Sequence, residues 1–183
     1  MEREEALALL KEHIQERSLI FHSLETEAVM RRLARHFGED EDLWAMVGLL
    51  HDIDYERTKE NPQLHGRVAV EELLKDKLPP EALHAIVAHN SEYTGVEPSS
   101  TLDIALRCGE TITGLIRANA LVRPQGMEGM KPKSLKKKMK DKSFAANVSR
   151  ERIMECEKLG LSFAEFSQMC IEAISSVASE VGL

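Results

Sequence analysis

The chain has 183 residues, 43% hydrophobic and 30% charged, the make-up of an ordinary globular protein with one core; two large domains, a fibre or a disordered chain are excluded. Lys and Arg number 24 against 31 Asp and Glu, and the net charge of −7 argues against nucleic-acid binding driven by charge alone. Three widely separated cysteines, Cys108, Cys156 and Cys170, suggest neither a disulfide framework nor a thiolate zinc site, and a reducing cytoplasm is expected.

Apolar residues recur at spacings of three and four through most of the chain, and aromatics are only 4%, so the expected fold is all-α. The opening MEREEALALLKEH is too acidic for a secretory signal. Residues 3–17 read as an amphipathic helix with Ala6, Leu7, Leu10 and Ile14 on one face. A second helix spans about 23–37, with Gly38 closing it and His22 at its entrance. From Asp42, LWAMVGLLHDID is apolar on every side, which marks a helix buried in the middle of the molecule.

Further helices are expected at 65–76, 80–89 and 101–121, separated by Pro79-Pro80 and Gly95…Pro98. RPQGMEGMKPK (123–133) reads as a mobile connection or lid. Two more helices follow, about 149–158 and 162–181, the last with an apolar stripe that is either internal or a homodimer face. Residues 1–123 thus read as the main helical domain, and 124–183 as a lysine-rich connection with C-terminal helices packed on the same core. No run approaches the roughly 20 apolar residues of a membrane helix.

The chemistry concentrates at His51-Asp52. An imidazole and a carboxylate beside Leu49 and Leu50 would cost several kcal/mol unless partners or a metal compensate them. Adjacent helical residues point about 100° apart, so both reach one ion only where the helix ends or bends. Imidazole with carboxylate is a ligand set suited to a divalent transition metal.

The order His22, His51-Asp52, His65, His89 and the acid in RCGETITGLI resembles the HD-domain superfamily of metal-dependent phosphohydrolases, in the HDIG-like branch whose second motif reads like LLHDI. The resemblance covers about 19–123. It implies a helical bundle with a C-terminal helical extension, and the pattern H…HD…D on one divalent ion. His22, His51 and Asp52 match residue by residue. At the fourth position the family has Ala-Asp where this chain has Gly109-Glu110, so Glu110 either binds the metal or pairs with Arg107 or Arg117 at the surface. His65 and His89 resemble the extra histidines with which several HD enzymes hold a second metal or a phosphate. Alternatively, His65 is a solvated residue before a helix, and His89 an imidazolium favoured by a helix dipole. His13, His36 and His84 lie off the pattern.

The resemblance implies hydrolysis of a phosphomonoester or phosphodiester of a small phosphorylated molecule, a nucleotide above all. The metal would be Mn, Fe, Co, Ni, Mg or Zn, held by His22, His51, Asp52, Glu110, His65 and His89. Asp52 would be the bridge, and His65 or Asp54 the acid or base. The alternative is a catalytically degenerate HD-like domain that binds a nucleotide or a protein. The lysine-rich stretch 131–142 holds seven lysines against Asp141, +6 locally and −13 elsewhere. It reads as an amphipathic helix on Leu135 and Met139 with its lysines in water, rather than as a device for steering polyanions; without interleaved aromatics, single-strand binding is not expected.

Overall fold

The computed structural model describes all 183 residues and contains helices and turns but no strand. Helix α1 is Arg3–His13, α2 Arg17–Phe37, α3 Glu41–Leu50, α4 Tyr55–Thr58, α5 Pro80–Ala88, α6 Ser91–Thr94, α7 Thr101–Leu121, α8 Pro132–Lys140, α9 Arg150–Met154 and α10 Phe163–Val177. Local chemistry explains several boundaries. Gly38 ends α2 at φ 72°, where a glycine carries no Cβ penalty. The Asp40 carboxylate accepts from the amides of Asp42 and Leu43 at the start of α3. Pro80 opens α5, and Ser100 with Asp103 forms a capping box on α7.

Helices α2, α3 and α7 form the middle of the bundle. The core runs without a break from Leu10 and Leu33 through Leu50, Leu106 and Ile112 to residues of the C-terminal part such as Leu135 and Phe166. No helix is long and apolar enough to cross a membrane. The three cysteines are buried and free, and burial raises the pKa of each thiol.

Several expected boundaries move. The opening helix ends at His13, because Ile14 turns extended to bury its side chain, and α2 starts at Arg17. His22 therefore lies inside α2 rather than at its entrance. In place of an α-helix over 65–76, a π-helical stretch spans Ala69–Leu74, with Ala69 and Leu74 fully buried. The expected helix over 149–158 is α9 followed by a 3-10 stretch, Glu155–Leu159, and α10 stops at Val177. Residues 123–133 are not a free lid: Met127 and Met130 are both buried and pin the turns to the core. In α8, Leu135 is buried and Met139 packs on the core, while Lys133, Lys136, Lys137 and Lys140 are exposed.

Candidate metal centre

Two close backbone approaches build the site. A Cβ on Gly48 would stand 2.7 Å from the carbonyl oxygen of Thr26, so the glycine is what lets α3 lie directly on α2. One turn before Thr26 is His22, and three residues after Gly48 is His51. Their Nε2 atoms end 3.2 Å apart. The second approach is at Gly66, with φ 86°, where a Cβ would lie 2.8 Å from the carbonyl oxygen of Ile86. Here the loop before the π-helical stretch meets α5, and His65 meets His89 with Nε2 atoms 3.1 Å apart.

Each ring is fixed from behind. His51 Nδ1 donates to the Gly48 carbonyl at 2.8 Å, and His89 Nδ1 donates to that of Ile86. His65 Nδ1 donates to Asp54 Oδ1 at 2.8 Å. The Thr113 hydroxyl gives its proton to the Glu110 carbonyl, so at 2.9 Å from His22 Nδ1 its oxygen is the acceptor. All four rings thus carry hydrogen on Nδ1 and turn Nε2 toward Asp52. This is the arrangement in which outer partners set the tautomer of metal-binding histidines.

Asp52 lies between the two pairs. Its Oδ1 is 3.3 Å from His51 Nε2, 3.1 Å from His65 Nε2 and 3.4 Å from His89 Nε2, and its Oδ2 is 3.6 Å from His22 Nε2. Two groups of three side chains could each hold an ion, His22 with His51 and Asp52, and His65 with His89 and Asp52; the ligand atoms of each lie within 4.8 Å of one another. The donor set suits a divalent transition metal. Burial disfavours the charged form of His51 and lowers its pKa against the pull of Asp52. Burial also works against the Asp52 carboxylate, yet the surrounding imidazoles hold its pKa well below the usual range. For His65 burial is again outweighed: hydrogen bonds to Asp52 and Asp54 raise it to about 10.

The structure brings together His22, His51, Asp52, His65 and His89. Glu110 stands at the margin, with Oε2 3.9 Å from His22 Nε2 and outside both groups. Neither expected surface partner holds it. Arg107 pairs with Glu92 and Glu155, and Arg117 with Glu25, because each faces a different neighbour around α7; Glu110 meets Arg152 at 3.3 Å instead. Asp54, expected as an acid or base, is fully buried. Its oxygens accept from the amides of Gly66 and Ala69, each at 2.8 Å, and from His65, so the geometry gives it the work of aiming that ring. His65, largely buried, and His89, buried at the end of α5, both turn Nε2 toward Asp52 rather than to solvent. His84 pairs with Asp103 away from the site.

Two supporting residues have little or no sequence signal. Thr113 is one of many helical hydroxyls. Arg107 stands out as a charge in an apolar stretch of α7, and its Nη1 donates to the His89 carbonyl at 3.0 Å and to Ser91, clamping the end of α5 that carries His89. A groove of about 420 Å³ lies elsewhere, between α2 and α10, where Arg3 with Glu27 and Arg32 with Glu172 neutralise one another.

A helical bundle that gathers His22 of α2, His51 and His89 at the ends of α3 and α5, and His65 of the loop between them around one aspartate defines a histidine–aspartate cluster of the kind that could hold a metal. The chain belongs to the HD domain family, which matches residues 19–137. It is similar to proteins named ribonuclease Y from Bacillus thuringiensis (strain Al Hakam), Bacillus mycoides (strain KBAB4) and Geobacillus kaustophilus (strain HTA426), at 28% identity over 96 residues in each case. The shared segment is 52% of this chain and 18% of each relative, so the chain spans less than a fifth of their length. No solved structure matches it significantly.

Proposed function

We propose that this protein is a metal-dependent phosphohydrolase acting on a phosphate ester of a nucleotide, with up to two divalent ions on either side of Asp52. One observation carries the reading: four Nε2 lone pairs converge on a single carboxylate, two pairs of them 3.2 and 3.1 Å apart, with every Nδ1 already engaged. Such facing lone pairs need a cation, or a proton in its place.

Bound there, a divalent ion supplies Lewis acidity toward a phosphoryl oxygen and a water whose pKa lies near neutrality. His22 and His51 would hold one ion, His65 and His89 the other, with Asp52 spanning both. Glu110 offers a further oxygen on the His22 side. If only the His22 side is filled, His65, 3.1 Å from Asp52, is the ring placed to hand a proton to a leaving oxygen. Asp54 and Thr113 keep the rings in register. The name of the relatives puts a phosphodiester first among the substrates to assay, while the net charge of −7 favours a short nucleotide over a long polyanion.

Elemental analysis of the full chain after manganese loading tests this. A metal-to-chain ratio approaching two is expected, with Asp52→Ala losing both ions and His22→Ala or His89→Ala one each. Turnover of nucleotides and model phosphodiesters should disappear in His51→Ala. Metal content equal in wild type and Asp52→Ala would sink the reading. One observation favours a non-catalytic binder instead, namely that Glu110 is engaged by Arg152; such a protein would bind a nucleotide equally well after chelation and turn nothing over.

A further inference from the structure

We propose that Arg152 is the residue that binds the substrate's phosphate group, so that the C-terminal part of the chain, beyond the family match at 19–137, completes the active site. The inference rests on the phosphohydrolase reading above. A cleft of about 310 Å³ opens on His22 and Glu110, and its opposite wall is Ser149 and Arg152, brought there by α9. Val148 is its one apolar wall residue, which suits an anionic, strongly hydrated ligand rather than an apolar one.

The guanidinium of Arg152 is divided between two tasks. Nε, at 3.0 Å, and Nη2 grip the carboxylate of Glu92 in a two-pronged pair. That pair ties α9 to α6 and sets the plane of the guanidinium in advance. Nη1 faces the cleft and has only a long contact there, 3.3 Å to Glu110 Oε1. The same Glu110 has its other oxygen 3.9 Å from His22 Nε2. Glu110 Oε1 already accepts from the Thr111 hydroxyl at 2.6 Å, so its contact with Nη1 is the weaker of the two, and a phosphoryl oxygen entering the cleft would offer Nη1 a better acceptor. A fixed guanidinium edge opposite a metal is the usual geometry for gripping a phosphate from two sides. The side chain is 22% exposed, open enough for a ligand to reach and sheltered enough for the charge to count.

The test uses the manganese-loaded full chain titrated with inorganic phosphate by calorimetry, with manganese content measured in parallel. Arg152→Gln is expected to bind phosphate at least about tenfold more weakly with its manganese unchanged. Arg152→Lys, which keeps the charge but not the fork, should be folded and fall between the two. Arg35→Gln removes the same charge from a distant exposed position and should match wild type. Phosphate affinity in folded Arg152→Gln or Arg152→Lys equal to that of wild type overturns the proposal, as does equal weakening in Arg35→Gln. A wild-type protein that takes up no manganese defeats the phosphohydrolase reading and this inference with it. Manganese and phosphate bound normally by wild type, with no effect at Arg152, defeats this inference alone.

Discussion

Asp52 does two electrostatic jobs with one side chain. It gathers three Nε2 atoms within 3.4 Å of a single oxygen, and in metal-free protein it stabilises the proton that takes a cation's place on His65. Because folding raises His65 to about 10, its contribution to stability is complete below the unfolded histidine value near 6.5 and is lost as the pH climbs toward 10. Asp52 is shifted the other way, so its contribution is present above the ordinary carboxylate range and is lost as the pH falls through its depressed value. Chelated protein should therefore melt at a progressively lower temperature from about pH 6.5 to 10. Asp54→Asn, which takes away one of the two carboxylates holding that proton, should flatten this decline. A melting temperature independent of pH over that range would show that His65 and Asp52 are not coupled as described. Metal displaces the same proton, so metal affinity should rise with pH across the same interval.

Among the elements, two glycines matter more than the helices they join. Gly48 lets α3 rest on α2, and Gly66 lets the loop after α4 rest on α5; in each case the missing Cβ is replaced by a carbonyl oxygen within 2.8 Å. Gly66→Ala adds a positive φ to the steric clash, and we expect it to cost about 1–3 kcal/mol. It should also shift His65 away from His89, so that the metal-to-chain ratio falls toward one while the His22 pair stays filled. Thermal melting and elemental analysis of the same sample check both statements. An alanine that lowers stability and leaves both ions in place would mean that the loop adapts and that Gly66 does not set the ring spacing.

For the molecule as a whole, the C-terminal third is part of the core. Leu135, Ile153, Cys156, Phe166, Cys170 and Ile174 are all fully buried in the same cluster as Leu33, Leu50 and Leu106. Truncating one large core side chain costs about 2–5 kcal/mol, against a total stability of about 5–15 kcal/mol for a natural domain. A chain ending at residue 123 is therefore expected not to fold cooperatively, and the full chain to melt in a single calorimetric transition. Two separate transitions, or a soluble and cooperative 1–123 fragment, would contradict this.

The all-α architecture, α7 at 101–121 and the dyad at the end of α3 were legible in the sequence, because a helical period and a charged pair beside Leu49-Leu50 are local signals that burial amplifies. His65 and His89 were legible only by resemblance, since nothing in 65–89 indicates that the two rings face one another. Where α2 begins, what Asp54 does and which arginine meets Glu110 depended on tertiary packing. A backbone break at Ile14 is settled by a core site for its side chain, Asp54 is enclosed by amides 12 to 15 residues away, and Arg152 meets Glu110 from a helix anchored by Glu92 and the buried Ile153. These are contacts between segments remote in the chain, and hydrophobic period or spacing along one helix carries no record of them.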